Sequence, residues 1–239
     1  MVSKNQIKLI TSLQQKKYRK QEQLFFAEGV KVVQELLNSN FELQDLFTTK
    51  QDFLTVSKDK VHAISDVELK KISALTTPNT CLAVFKIPKS KDFVEKGLIV
   101  ALDDVRDPGN LGTIIRLCDW FGIETLFCSE ESVDIYNPKV VQATMGSISR
   151  VNVVYGNLEA FLTKTKLPVF GTFMDGKNIY QEKLPKEGII IMGNEANGIS
   201  VEKLVSERIA IPRFGNLQVT ESLNVATATA IILSEFKRS

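Results

Sequence analysis

Three segments of the chain place polar and charged side chains where an apolar run gives way to a helical pattern. They cover residues 102–123 (LDDVRDPGNLGTIIRLCDWFGI), 188–200 (GIIIMGNEANGIS) and 211–236 (IPRFGNLQVTESLNVATATAIILSEF). Ser and Asn at such a position either cap the helix or hold a polar ligand at its start. Three corners of this kind in one chain predict a composite site that draws on all of them.

From residue 98 onward, short apolar runs alternate with helical segments. The run LIVALDDV is continuously apolar and ends in acids, which is typical of a buried parallel strand. Strands that alternate with helices at this spacing predict an α/β fold, a parallel sheet with helices on both faces. Ligands in such folds bind outside the carboxyl ends of the strands, where all three corners fall.

Residues 1–88 follow a different pattern, which predicts a separate small α/β unit. Ser65 and Glu68 have the spacing of a capping box at the start of one of its helices. The segment KIPKSKDFVEKG combines prolines, lysines and a glycine, and favours a linker. We therefore predict domains over residues 1–90 and 98–239, joined by a linker over residues 91–97.

Composition excludes several classes of protein. No apolar run approaches the roughly eighteen residues of a membrane span, and the N-terminus lacks a signal-peptide core. A single histidine, His62, rules out a multi-histidine metal site, and we expect it in a surface or turn position. The three cysteines are scattered and odd in number, which argues against a disulfide framework or a zinc site and favours a cytoplasmic protein.

Charge is distributed unevenly along the chain. The net charge is +2, yet residues 1–90 carry 14 basic and 9 acidic side chains. The first twenty residues contain no acid and six basic side chains: Lys4, Lys8, Lys16, Lys17, Arg19 and Lys20. A basic front end favours a polyanionic partner such as nucleic acid, although on charge alone a solvated helix is the better interpretation.

The glycines of DPGNLGTIIR do not form a dinucleotide fingerprint. Gly109 and Gly112 lack the G-x-G-x-x-G order that seats a pyrophosphate on a helix N-terminus. The sequence has no Walker-type phosphate loop either. A nucleotide ligand would therefore be held by groups other than its phosphates, which leaves room for an adenosine ligand without phosphate.

The three corners together resemble the motifs of the SpoU family of RNA 2′-O-methyltransferases, part of the SPOUT superfamily. The matching residues are DPGNLGTIIR (107–116), IMGNEANG (191–198), and Ile211-Pro212 followed by SLNVA (222–226). The resemblance covers residues 98–236, where motif order, spacing and residue type all agree. Residues 1–90, with FAEG at 26–29, are similar to the RNA substrate-binding domain often fused in front, which resembles the kink-turn-binding ribosomal proteins.

The resemblance implies a cofactor, S-adenosylmethionine, and methyl transfer to a ribose 2′-hydroxyl. It also implies that the C-terminal part of the sheet forms a trefoil knot. Carried over residue by residue, the cofactor contacts are Gly193, Ile211 and Leu223, with Thr172 as a weaker candidate. A slot of aliphatic residues with backbone donors and acceptors suits the flat adenine ring. Without the motif match, Ile211 and Leu223 would be interpreted as ordinary core residues.

The same resemblance implies a catalytic set of five residues: Asn110, Arg116, Glu195, Ser222 and Asn224. Because a guanidinium stays protonated in proteins, we expect Arg116 to orient the ribose hydroxyl or a phosphate and to stabilise the developing alkoxide. A phosphate oxygen or a water molecule would then take the proton. The family arrangement also implies a homodimer, in which the last helix supplies part of the interface.

Most of these residues have an alternative, structural interpretation. Asn110, Ser222 and Asn224 would each serve as a helix cap, and Glu195 as an acid at a helix start. Arg116 would lie on a solvated helix face or pair with Asp119 or Asp103. Glu221 departs from the small residues typical of the family before Ser222, so the RNA contact at this point stays open.

Three interpretations of function stay open on the sequence alone. The first is a ribose 2′-O-methyltransferase, with ribosomal RNA as the first choice of substrate and transfer RNA as the second. The second is an RNA-binding module that kept the fold without catalysis, against which the intact catalytic set argues. The third moves the methyl group to a base atom, and the Ser-Leu-Asn of the third motif argues against it.

Overall fold

The described part of the chain, residues 1–50, 56–89, 93–215 and 222–238 of a computed structural model, contains ten strands and eight α-helices. The strands are β1 (Leu24–Glu28), β2 (Leu43–Thr48), β3 (Val61–Ala63), β4 (Cys81–Lys86), β5 (Leu98–Leu102), β6 (Thr125–Ser129), β7 (Asn152–Gly156), β8 (Val169–Asn178), β9 (Gly188–Met192) and β10 (Glu207–Ala210). The helices are α1 (Lys4–Ser12), α2 (Lys16–Glu22), α3 (Val30–Leu37), α4 (Asp66–Ile72), α5 (Pro108–Trp120), α6 (Pro138–Thr144), α7 (Leu158–Lys164) and α8 (Val225–Arg238). Glu221 lies outside the described residues.

Contacts divide the chain into two compact units. The first comprises Met1–Ser90 and Asp134–Ser149, and the second comprises Lys91–Val133 and Arg150–Ser239. The first unit has a four-stranded sheet in the order β1-β4-β2-β3, in which only β2 and β3 run parallel. This is the small α/β domain that the sequence predicts. Its core includes Leu13, Phe26, Phe47 and Leu82.

The basic N-terminus forms two helices rather than the single one that its composition favours. A capping box of Ser3 and Gln6 starts α1, and the predicted box of Ser65 and Glu68 starts α4. Arg19 of α2 is only 2% exposed and donates two hydrogen bonds to Asp134, at 3.0 and 2.6 Å. Since Arg19 is buried, the exposed basic residues of this region are the lysines.

Residues 134–149 pack with the first unit although the chain places them between β6 and β7. Besides the ion pair of Asp134, the ring of Tyr136 lies 4.8 Å from the ring of Phe25. Gly146 lies so close to Glu35 that an added Cβ would come within 2.5 Å of the Glu35 Cβ. The helix α6 therefore belongs to the core around β1, and the domain limits of 90 and 98 stay predictions.

His62 does not lie in a turn, although its side chain is partly exposed. It lies in β3, half-buried, with its ring stacked on Phe47 at a centroid distance of 4.8 Å. Its Nε2 atom lies 2.7 Å from Asp45 Oδ1. The parallel pairing of β2 and β3 places Phe47 directly opposite His62, which explains the stacking.

The second unit is the predicted α/β fold with a parallel sheet. Six strands lie in the order β10-β8-β9-β5-β6-β7, and every pair is parallel. Successive residues of β8 point to opposite faces: Val169 packs with α7, whereas the ring of Phe170 lies 5.2 Å from that of Phe236 in α8. Helices therefore cover both faces of the sheet. The trefoil knot stays a prediction.

The spacing of SVEKLVSE predicts a helix in the second unit, and the structure does not form one there. Residues 200–207 (SVEKLVSE) form only a single 3₁₀ turn, Glu202–Leu204, before β10 begins at Glu207. The short connection leaves no room for an α-helix of normal length. None of the described helices is long and apolar enough to cross a membrane.

Candidate active site

A cavity of about 1130 Å³ opens in the second unit beyond the ends of β9 and β10. All four predicted cofactor contacts line it: Thr172, Gly193, Ile211 and Leu223. Glu195 and Ser222, two of the predicted catalytic residues, line the same space. The alternative interpretation of Leu223 as a core residue is wrong, because 47% of its surface is exposed. The sheet thus brings the second and third sequence motifs to one place, as the position of parallel strand ends requires.

The loop that follows β9 makes one wall of this cavity. In this loop, residues 193–200, Asn194 and Gly198 each donate a backbone N–H to the carbonyl oxygen of the other, at 2.9 Å in both directions. An added Cβ on Gly193 would lie 2.5 Å from the Gly198 carbonyl carbon. Glycine is therefore favoured at position 193 because the backbone of Gly198, in the same loop, lies so close to it.

Acidic residues after β5 fix the position of the 193–200 loop. Asp103, 5% exposed, accepts hydrogen bonds from the Ser200 backbone and hydroxyl at 2.6 and 2.8 Å. The Asn194 side chain donates to the Asp104 carbonyl oxygen at 2.7 Å. The sequence suggests Asp103 only as a partner for Arg116. An acid that ends a buried strand was the available signal for this second role.

Three of the predicted catalytic residues form one hydrogen-bonded chain. Asn224 Nδ2 donates to Asn110 Oδ1 at 2.9 Å, and Asn110 Nδ2 donates to Glu195 Oε1 at 2.5 Å. Glu195 also lines the cavity, so this chain runs from the start of α8 to the cavity wall. One side chain from each of the three motifs takes part.

Asn224 caps a helix, as the alternative interpretation expects, whereas Asn110 does not. Asp107, not Asn110, caps α5, because its Oδ1 atom accepts from the Asn110 backbone N–H at 2.8 Å. The Asn110 side chain is thereby left to contact Glu195 and Asn224. Asn224 does cap α8, since its Oδ1 atom accepts from the backbone of Ala226 at 3.0 Å while its Nδ2 atom serves the chain.

Arg116 and Ser222 stand apart from this chain. Arg116 lies on the exposed side of α5 and forms no hydrogen bond or ion pair with any described residue. The suggested partners are engaged elsewhere, because Asp119 accepts from Arg150 at 2.9 Å and Asp103 holds Ser200. A solvated position is therefore the correct description of Arg116 in the single chain. Ser222 is exposed at the cavity.

Comparison with known proteins identifies the family of this chain. The sequence model of the SpoU rRNA Methylase family matches residues 97–234, which is more than half of the chain and contains all three motifs.

The chain belongs to the SpoU rRNA methylase family.

A second match, to the MRM3-like substrate binding domain, covers residues 4–83. The 23S rRNA (guanosine(2553)-2′-O)-methyltransferase RlmP of Bacillus subtilis is 29% identical over 97% of this chain and 96% of that protein. A putative RNA methyltransferase of the TrmH family from Porphyromonas gingivalis is 40% identical, with a TM-score of 0.89 over 100% of this chain and 99% of that one. An rRNA methyltransferase from Sinorhizobium meliloti, solved with AdoMet bound, is 29% identical, with a TM-score of 0.87 over 100% of this chain and 97% of that one.

In this SpoU family protein, a second wall of the cavity rests on a residue that the motifs do not include. The Arg208 guanidinium lies 3.5 Å from the centre of the Phe173 ring and donates to Asp175 at 2.6 Å and to Glu202 at 2.9 Å. The hydrogen bond from Arg208 lowers the pKa of the Asp175 carboxyl. Phe173 and Glu202 both line the cavity. No sequence pattern pointed to this cluster, since its members come from three separate segments.

Two cysteines of the second unit are buried in its core. Cys118 and Cys128 are fully enclosed, and burial raises the pKa of both thiols, so they stay neutral near pH 7. No group of three or more His, Cys, Asp or Glu side chains in the described ranges is arranged to hold a metal ion.

Proposed function

We propose that this protein transfers a methyl group from S-adenosylmethionine to a ribose 2′-hydroxyl of ribosomal RNA. The observation that carries the proposal is the dual position of Glu195, which lines the cavity and accepts a hydrogen bond from Asn110. It joins the candidate cofactor space to the candidate ribose contacts. Full-length similarity to a 23S rRNA 2′-O-methyltransferase supports ribosomal RNA as the substrate.

The chemistry of the cavity suits S-adenosylmethionine. Gly193, Ile211 and Leu223 would contact the adenosine part, since aliphatic side chains and backbone groups favour a flat heterocycle. Glu195 adds a carboxylate to the lining, which complements the positive charges of the sulfonium and amino groups, whereas Glu202 is already paired with Arg208. When bound, S-adenosylmethionine supplies an activated methyl group on a positively charged sulfur.

On the substrate side, the residues of this chain orient the ribose and manage its proton. Arg116 stays protonated, and its guanidinium holds the 2′-hydroxyl or an adjacent phosphate and stabilises the negative charge that develops on the oxygen. The proton passes to a phosphate oxygen or to water. The Asn224–Asn110–Glu195 chain keeps polar groups at fixed positions beside this region, and Ser222 adds an exposed hydroxyl.

RNA binding rests mainly on the first unit in this proposal. Five lysines of its two N-terminal helices are exposed: Lys4, Lys8, Lys16, Lys17 and Lys20. Contacts from these lysines to phosphates make RNA affinity fall as salt is added. A cytoplasmic homodimer completes the proposal, with the last helix at the interface and Arg116 completing its site together with motif residues of a second copy.

Mapping of ribose methylation in total RNA, from cells with and without this gene, tests the proposal. Loss of one 2′-O-methyl site in ribosomal RNA, restored by the wild-type gene and not by Arg116→Ala, is the expected result. Loss of a site in transfer RNA would keep the reaction and change the substrate. An unchanged map would sink the proposal.

Calorimetry separates the remaining alternatives. A methyltransferase binds S-adenosylhomocysteine, whereas a catalytically silent RNA-binding module does not need to. Absence of binding in a folded protein would favour the module. A lost methyl group on a base atom in the mapping experiment would favour the base-directed alternative.

A further inference from the structure

Trp120, at the end of α5, is the only tryptophan of the chain and one of its most exposed side chains. It is 84% exposed and makes no hydrogen bond or ring contact with any described residue. Exposure of a tryptophan to water costs free energy because its apolar surface is large, so tryptophan side chains are normally buried. An exposed tryptophan on an ordered helix is a side chain of the kind that is enriched at interfaces, since it combines a large apolar ring with a polar N–H.

Trp120 lies on the same helical face as Arg116. The exposed positions of α5 after its first turn are Thr113, Arg116 and Trp120, which recur at helical spacing, while Leu111, Ile114, Ile115 and Cys118 are buried. Residues four apart on a helix are neighbours, with Cβ atoms about 6 Å from each other. The tryptophan ring and the candidate catalytic guanidinium thus form one surface, which we call the Arg116–Trp120 face.

The charge of this face favours an anionic partner. Arg116 has no acidic partner among the described residues, and the nearby Asp119 is neutralised by Arg150 at 2.9 Å. A planar aromatic side chain beside a free guanidinium is a combination that nucleic acids match well. A base stacks on the ring, and the neighbouring ribose or phosphate meets the positive charge.

We propose that Trp120 is the stacking surface for an unpaired base of the RNA substrate, adjacent to the nucleotide whose ribose Arg116 orients. The inference rests on the proposed function and deepens it. Because a base inside a helix has both faces covered by its neighbours, the substrate presents its target in a loop, bulge or single strand. Trp120 is a substrate contact in this scheme and takes no part in cofactor binding.

Intrinsic fluorescence tests the proposal directly, because Trp120 is the sole tryptophan. Acrylamide should quench its emission efficiently in the free protein. Addition of protein-free ribosomal RNA from cells that lack the gene should then quench the emission and protect it from acrylamide. Inorganic polyphosphate carries the charge without bases, so it should leave the emission unchanged.

Kinetics of two Trp120 variants and one control variant provide a second test. Trp120→Leu should raise the KM for the same RNA by about 5- to 150-fold, the range that corresponds to loss of one base–aromatic stack. The kcat and the affinity for S-adenosylhomocysteine should change little, and Trp120→Phe should recover most of the loss. Val94→Ala, an exposed apolar residue outside the helix, is the matched control and should leave KM unchanged.

Several outcomes would overturn the inference. An emission shielded from acrylamide without RNA, and released on dilution, would mean that a second copy of the chain covers Trp120. Equal quenching by RNA and polyphosphate, or an unchanged KM in Trp120→Leu, would exclude stacking. If the wild-type protein methylates no RNA but RNA still quenches Trp120 selectively, the proposed reaction fails and the stacking surface stands.

Discussion

The 193–200 loop and the Arg116–Trp120 face belong to the same unit, but they differ in how completely one chain fixes them. The loop is tied by its own backbone pair, by Asp103 to Ser200, and by Asn194 to Asp104. The side chains of the Arg116–Trp120 face contact no described residue through a hydrogen bond or ring. Under the proposed function, the hydrogen bonds of a single chain hold the cofactor wall, whereas those of the described residues do not hold the substrate face.

Under the proposed function, the difference follows from the molecule that each surface recognises. A small cofactor has one shape, so a wall held in place beforehand avoids the entropic cost of ordering it on binding. A large RNA, and a second copy of the chain, bring their own groups to the site. Side chains that are ordered by the incoming molecule can remain free until it binds. The predictions below test this division, beginning with the largest expected effect.

Loss of the free guanidinium should abolish the reaction and spare the cofactor wall. Arg116→Ala is expected to lower methyl transfer by about 100-fold or more, because charge stabilisation at the reacting oxygen is lost. The affinity for S-adenosylhomocysteine, measured by calorimetry, should stay the same. Arg116→Lys keeps the charge without the planar fork and should recover only part of the rate. Normal turnover in the alanine variant would contradict the role of Arg116.

A side chain added at position 193 should weaken cofactor binding and leave RNA binding unchanged. In Gly193→Ala the new Cβ would lie 2.5 Å from the Gly198 carbonyl carbon, so the loop must open. We expect cofactor affinity to fall by about 10-fold or more, in line with overpacking of a closely packed site. RNA binding, measured by filter retention without cofactor, should be unaffected. Unchanged cofactor affinity would mean that the loop is not held as firmly as its hydrogen bonds indicate.

Loss of the hydrogen bond between Ser200 and Asp103 should also lower cofactor affinity, but by a smaller factor. Ser200→Ala removes one hydroxyl donor to the buried Asp103 and should weaken S-adenosylhomocysteine binding by about 3- to 10-fold. Ser200→Thr retains the hydroxyl and should bind nearly normally. Ser39→Ala loses a similar bond, to the Leu36 carbonyl at 2.6 Å, in the first unit and serves as the control. Equal effects of both alanine changes would show that the tie has no special role at the cofactor wall.

The periodicity of the second unit was sufficient to predict its sheet, and the motifs were sufficient to place Gly193, Ile211 and Leu223 in the lining of the cavity. Continuous apolar strands and intervening helices leave few arrangements other than a covered parallel sheet. The pattern failed for residues 200–207, where helical spacing is present but the connection closes in a single 3₁₀ turn. It also missed Arg208, because the residues that it joins are distant in sequence.

Residue types and order by themselves determined the family, the α/β class and the candidate residues for cofactor and ribose, since these depend on local spacing that the chain carries in one dimension. Tertiary structure alone decided how those residues are used. It made Asp107 rather than Asn110 the cap of α5, so that Asn110 joins Glu195 to Asn224. It also buried Arg19 and left Arg116 and Trp120 without a hydrogen bond or ring contact among the residues that the structure describes. Hydrogen-bond partners and exposure depend on groups far apart in the chain, and only folding brings those groups together.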